Sequence, residues 1–240
     1  MNSPCRRSIF PCVTNSLKNK SLVHRGWILA AVLMAGCGGK PAPQQAPAPA
    51  PTAPLPTAGL ASDRVPILPF TLVLAEDSLR WEQVLADRKA VLAAADSVLG
   101  ALLTMRAPEV TWVLPDEVRR QARRSPTFGS NPDQMATAVL RSERLVQVPD
   151  PLRSELRTLV ALAGARYALI PTALIYLRAT PDTSGTTPRS GAAVARAELN
   201  IVLVDARLGR VGWRTVARGE GNDPWTALTR AVKALTPGLP

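Results

Sequence analysis

The chain of 240 residues has one histidine and three cysteines, and all four lie at or before residue 37, as Cys5, Cys12, His24 and Cys37. Beyond Cys37 there is no imidazole and no thiol. This excludes histidine acid/base catalysis, a catalytic cysteine, disulfides within that remainder and any zinc site built from nitrogen or sulfur donors. Lysine is nearly missing after Cys37 as well, with only Lys40, Lys89 and Lys233, so arginine carries the positive charge. Aromatic residues make up only 4%. The chain has no Walker A motif, dinucleotide glycine fingerprint, Gly-x-Ser-x-Gly elbow or EF-hand spacing. What is present is 46% hydrophobic and 20% charged, the composition of a foldable domain rather than a disordered or fibrous chain.

The longest purely apolar run, Gly26 to Gly36, spans 11 residues and ends at Cys37. A bilayer crossing needs about 20 apolar residues, so the run fits the core of an export signal and not a membrane helix. Arg6, Arg7, Lys18, Lys20 and Arg25 precede it without an acidic residue, and the net charge of +11 falls to +6 without them. A moderately basic exported chain meets anionic lipid head groups or cell-wall carboxylates before nucleic acid, so no nucleic-acid partner is expected. The junction Leu33-Met34-Ala35-Gly36-Cys37 resembles the lipobox of bacterial lipoproteins. That resemblance implies cleavage between Gly36 and Cys37 and lipid attachment at Cys37, with Met34 standing where leucine is usual. By the enteric sorting rule, the absence of Asp after Cys37 implies the outer membrane, periplasmic face.

Three segments follow from this reading: 1–36 as signal peptide, 37–61 as lipidated cysteine and linker, and 62–240 as one periplasmic domain. Seven prolines between Pro41 and Pro56 favour polyproline II, a semi-rigid stalk with a rise of ~3.1 Å per residue. In the domain, Val65–Leu74 reads as a first strand made irregular by its prolines. Trp81–Leu103 reads as a helix with Val84, Val91, Ala95, Val98 and Leu102 on its apolar face and Asp96 off it. Glu109–Leu114 reads as a strand, followed by a helix opening at Pro115-Asp116-Glu117. Asn131-Pro132 predicts a short helix to about Arg141, and Asp150-Pro151 predicts a helix ending at Gly164. Tyr167–Leu177 is apolar on both faces, as an interior strand is, and Pro171 demands a bulge or a local edge.

Leu199, Ile201 and Leu203 alternate with Arg196, Glu198 and Asn200, a strand with one buried face. Asp205–Gly209 is a hairpin connection, and Val211–Arg218 returns, with Val211, Trp213 and Thr215 expected on one face and Arg214 and Arg218 on the other. Glu198 is placed to meet one of these arginines across the ladder. Asp223-Pro224 caps a last helix to Leu235. The expected fold class is α/β (α+β): a mixed sheet with a C-terminal antiparallel three-stranded meander and helices packed against it.

The segment Leu199–Trp213, in which a hydrophobic strand ends in Asp205, turns through Gly209 and returns with Trp213, resembles a group of bacterial envelope proteins. The group includes the periplasmic domain of the curli secretion lipoprotein CsgG, the amino-terminal domain of TolB and the cell-wall synthase activator LpoB. The resemblance covers Val65–Leu235 as topology and the meander as sequence, and implies a membrane-anchored, non-enzymatic adaptor or activator in envelope biogenesis or secretion, with an envelope protein as its partner. Two alternatives stand beside it. A homo-oligomeric CsgG-like channel would need extra amphipathic hairpins, which are not evident. A carboxylate-dependent cell-wall enzyme would draw on Asp, Glu, Ser and Thr alone.

Arg119, Arg120, Arg123 and Arg124 share a helix face by i, i+4 spacing and could contact lipid phosphates or an acidic partner. A solvated helix end, where arginines favour the negative terminus, explains them better. Glu76-Asp77 and Asp116-Glu117 fit caps better than acid chemistry, and Trp81, Trp112, Trp213 and Trp225 fit core packing better than a carbohydrate platform. No catalytic residue, metal site or cofactor is expected.

Overall fold

The computed structural model describes residues 53–127, 130–179 and 194–237. The signal segment, Gly36, Cys37, most of the Pro/Ala tract and the loop at 181–191 lie outside the described residues. The elements in chain order are β1 (Arg64–Pro66), β2 (Val73–Ala75), α1 (Arg88–Arg106), β3 (Thr111–Val113), α2 (Pro115–Arg124), α3 (Leu152–Leu162), β4 (Tyr167–Arg178), β5 (Ala195–Asp205), β6 (Arg210–Gly221) and α4 (Pro224–Leu235). Short 3-10 turns stand at Thr57–Leu60, Asp77–Leu79, Pro132–Gln134 and Thr137–Arg141.

The fold is mixed α/β. A four-stranded sheet has the order β2-β4-β5-β6, with β2 parallel to β4 and the β4-β5-β6 meander antiparallel. A parallel β1–β3 pair adjoins it through the Ile67–Leu169 bridge and the Leu68 amide, which donates to the Leu169 carbonyl. The expected single strand Val65–Leu74 is therefore broken in two. Pro66 and Pro69 have no N–H to donate to a continuous ladder, and the chain bends between them and Val73 before rejoining β4.

Hydrophobic side chains fill both faces of the sheet. On one face α1 and α4 bring Leu99, Leu103, Leu228 and Val232 against Leu174, Tyr176, Leu199 and Ile201. On the other, α2 and α3 bring Val118, Leu152, Leu156 and Leu159 against Ile170, Val202 and Val204. Each fully buried leucine contributes about 1.5–3 kcal/mol of transfer free energy. Gly219 and Gly221 let α4 lie directly on β6: a Cβ at Gly219 would stand 2.1 Å from the Ala231 amide nitrogen, and one at Gly221 2.6 Å from that of Ala227. Asp223 caps α4 by accepting from the amides of Trp225 and Thr226, as its place before Pro224 predicts.

Two bulges set the register. One falls between Pro171 and Ala173 in β4, where the missing proline N–H interrupts the ladder, so that Leu169 and Leu174 share a face although five residues apart. The second falls at Gly212, opposite Leu203 and Val204. It turns Val211 toward the α2/α3 side and Trp213 toward the α1/α4 side, correcting the expectation that they share a face. Glu198 pairs with Arg218 at 2.9 Å across the ladder, as the alternation predicts.

Four local features differ from expectation. The first long helix starts at Arg88, because Asp87 caps it by accepting from the Ala90 amide, and Val84 is left exposed. The segment after Asn131 forms two 3-10 turns instead of one helix; the Asn131 side chain does accept from the Asp133 amide. Asp150 does not cap α3 but pairs with Arg153. At the amino-terminal side, Leu55 and Leu60 are buried in the core and the Leu55 amide donates to the Leu235 carbonyl, so the last residues read as linker belong to the fold.

Candidate functional site

The four arginines read as one surface divide when placed on α2. Val118 and Ala122 turn the inner face of the helix toward the core, which brings Arg119 to the seam with α1. There its guanidinium meets three carboxylates: Asp96 of α1 at 2.7 Å, Asp133 of the 3-10 turn at 2.8 Å and Asp116 one turn back at 2.9 Å. Arg120 pairs with Glu117 and is drawn back onto its own helix. Arg123 and Arg124 are exposed and make no ion pair among the described residues. The cluster is thus half structural and half solvated, and Cys37, the expected lipid site, lies outside the described residues.

Asp96 is the group the sequence pattern misplaces. It is 4% exposed, because the most deeply buried stripe of α1 runs through Val91, Ala95, Leu99 and Leu103, with Val98 and Leu102 packed at its margin. With that stripe, position 96 falls on the buried side. Its Oδ1 accepts from the Phe70 amide at 2.8 Å and its Oδ2 from Arg119. Burial pushes its pKa up to about 6 against the opposing pull of these two hydrogen bonds. The hub ties α1, α2, the bend before β2 and the 3-10 turn together. The signal available in sequence was that Asp96 precedes Leu99 by three and Leu103 by seven residues.

Cavities flank this seam. One of about 430 Å³ is lined by Asp96, Gly100, Trp112, Leu114, Asp116 and Arg120. A second, of about 630 Å³, runs past Arg88, Lys89, Leu92, Arg119, Arg123 and Asp133. Both oxygens of Asp96 are engaged, and Arg119 is saturated by carboxylates. The arrangement braces helices; it presents neither a paired acid and base nor an activated nucleophile. Among the described residues no three His, Cys, Asp or Glu side chains gather as metal ligands, and no helix is long and apolar enough to cross a membrane.

The residues of the Asp-Gly-Trp resemblance have structural tasks. Asp205 Oδ1 accepts from the Leu208 amide at 3.0 Å and Oδ2 pairs with Arg166 at 2.7 Å. Burial alone would raise its pKa, but the amide and the guanidinium hold it below the ordinary carboxylate range. Gly209 takes a φ of +65° to close the turn, a conformation glycine adopts at little cost. Trp81, Trp112, Trp213 and Trp225 are all half-buried against the α1/α4 core, with Trp81 edge-on to Tyr176 at 5.4 Å between ring centroids. They pack; they do not form a platform.

No family model matches the chain, and no curated protein matches it. Among solved structures it is similar to a single-residue variant of a PelC dodecamer from Paraburkholderia phytofirmans, at 11% identity over 78% of this chain and 96% of that one, with a TM-score of 0.35. A second PelC dodecamer structure from the same organism matches at 11% identity over 78% and 94%, with a TM-score of 0.34. Lipoprotein GNA1162 from Neisseria meningitidis matches at 13% identity over 67% and 85%, with a TM-score of 0.31. Likeness at this level does not carry function.

Proposed function

We propose that this chain is a lipid-anchored lipoprotein of the periplasmic face of the outer membrane, whose folded domain binds an envelope protein in biogenesis or secretion and performs no catalysis. The observation that carries the reading is the 11-residue apolar run ending at Cys37 and followed at once by the proline tract. A run of that length signals export, the cysteine supplies the thiol for lipid, and the tract holds a domain away from the bilayer. No catalytic role is assigned to Asp96 in this reading, since its oxygens accept from the Phe70 amide and Arg119.

The test is crosslinking in intact cells, with affinity purification and mass spectrometry, using Cys37→Ala as the unanchored control. A specific heterologous envelope protein, recovered with the lipidated chain and lost with the control, is the expected result. Recovery of large self-crosslinked assemblies alone would overturn the adaptor reading in favour of a homo-oligomeric channel.

A further inference from the structure

The meander ends in a turn whose two middle side chains, Arg207 and Leu208, stand clear of the packing that buries Ala206 and Gly209. β5 and β6 pair out to Asp205 and Arg210, so residues 206–209 form the turn. Arg207 and Leu208 stand exposed on it, Leu208 at 58%. The turn is held firmly: the Asp205 carboxylate caps the Leu208 amide, and the Arg153 side chain of α3 lies where a Cβ on Gly209 would have to go. Residues 146–148 run along the outer edge of β6, with the Val211 amide donating to the Val146 carbonyl and the Val148 amide to that of Gly209. They add a second exposed aliphatic side chain, Val146, at 52%.

Charge around this tip is uneven. Arg153 and Arg166 are matched by Asp150 and Asp205. Arg157, Arg207 and Arg210 are exposed and form no ion pair among the described residues. Arg157 instead donates to the Arg207 carbonyl, which brings the end of its side chain to the turn. Three guanidinium-bearing residues without an ion pair among the described residues thus lie on the turn or reach it, beside an exposed leucine. Guanidinium forks suit phosphate oxygens, and an aliphatic tip beside them suits the hydrocarbon beneath a head-group layer. The α2 arginines lack this combination, since Arg119 and Arg120 are consumed by carboxylates.

We propose that the β5–β6 tip docks on an anionic phospholipid bilayer, with Arg157, Arg207 and Arg210 at the phosphates and Leu208 entering the acyl boundary. The chain path is compatible. The Ala53 amide donates to the Thr215 hydroxyl, five residues along β6 from Arg210, or roughly 17 Å at the rise of a strand. The 16 residues from Cys37 to Ala53 reach up to about 55 Å when extended, enough for the tip to touch the membrane that holds an anchor. The docking goes beyond the adaptor reading and does not require lipid on Cys37.

The test uses the chain from Gly38 onward, which keeps the whole compact unit Pro49–Pro240 and removes the anchor from the measurement. It is sedimented with vesicles of phosphatidylcholine alone or of phosphatidylcholine with phosphatidylglycerol. Binding to the anionic vesicles only is expected. With about 1 kcal/mol per basic residue near an anionic surface, Arg207→Gln with Arg210→Gln weakens it about thirtyfold. Leu208→Ser weakens it about tenfold at unchanged charge. Lys89→Gln with Arg123→Gln removes the same charge elsewhere and weakens it less than threefold. Equal losses from the two charge pairs would reduce the effect to net charge and overturn the assignment. Absence of binding to anionic vesicles, including where crosslinking in cells joins the tip to a protein instead, would also overturn it.

Discussion

Two arginine–carboxylate pairs of nearly the same length do different work in this domain. Arg119 meets Asp96 at 2.7 Å in the seam between α1 and α2, where Asp96 is almost wholly buried; Arg218 meets Glu198 at 2.9 Å on the sheet, where both side chains remain about a quarter exposed. The meander stands on apolar side chains on both faces, and its ion pair decorates it. The α1/α2 seam, by contrast, closes around a charge. Burial decides the difference: a desolvated carboxylate stripped of its partner has no water to replace it, whereas an exposed one does. Arg119→Met is therefore expected to destabilise the domain by about 3–5 kcal/mol at pH 7, measured as a lower urea midpoint. Glu198→Gln, which breaks the surface pair and leaves Arg218 in place, should cost less than about 1 kcal/mol. Equal losses at the two positions would break the comparison.

The seam should also betray itself in pH dependence. The proton affinity of Asp96 rises from an ordinary value of 3.8 to about 6 on folding, with burial as the main cause. The folded chain then holds this proton more tightly than the unfolded one. Below about pH 4 both states are protonated and the contribution to stability is full; between about pH 4 and 6 the unfolded chain has released the proton while the folded one still holds it, so stability falls, and above about 6 the loss is complete. About two units correspond to about 3 kcal/mol lost across that window. Asp205 and Asp223, whose pKa values are lowered, slope the other way, with their stabilisation lost as pH falls through the acid range. Asp96→Asn isolates the one group. Its stability relative to the parent chain should rise by up to about 3 kcal/mol from pH 4 to pH 7; a flat difference would mean that Asp96 does not titrate in this range.

The same division governs what could be read from sequence. The meander was legible because Leu199, Ile201 and Leu203 alternate strictly and because Asp205 and Gly209 announce the turn; period-two patterning and turn chemistry agree there. Its one error, the shared face of Val211 and Trp213, came from the bulge at Gly212, which a single glycine in a strand signals only weakly. The α1/α2 region was misread where polarity and position conflict. The spacing of Val91, Ala95, Val98 and Leu102 leaves the acidic Asp96 off the apolar face, whereas the deepest stripe passes through Leu99 and Leu103 and takes position 96 inward. Four arginines at helical spacing looked like one surface, yet the turn from Arg119 to Arg120 carries a side chain from the seam to the outside. Sequence shows which residues share a helix face but not which acids a distant segment will deliver, as Asp133 is delivered to Arg119.

The smallest expected effect sharpens the comparison most, because it asks whether the surface pair contributes anything of its own. Glu198 and Arg218 face each other in the β5–β6 ladder, a geometry in which opposite charges couple by about 0.2–1 kcal/mol. Arg218 has a further interaction besides this one, so a single substitution would mix two losses. A double-mutant cycle of Glu198→Ala and Arg218→Ala removes that ambiguity, since only the coupling between the two survives the subtraction. The coupling energy should fall below about 1 kcal/mol and shrink further in high salt, as screening acts on exposed charges first. A cycle of Asp96→Ala with Arg119→Ala, run alongside, should retain most of its coupling in the same salt. A surface coupling as large and as salt-resistant as that of the seam would show that exposure is not what separates the two pairs.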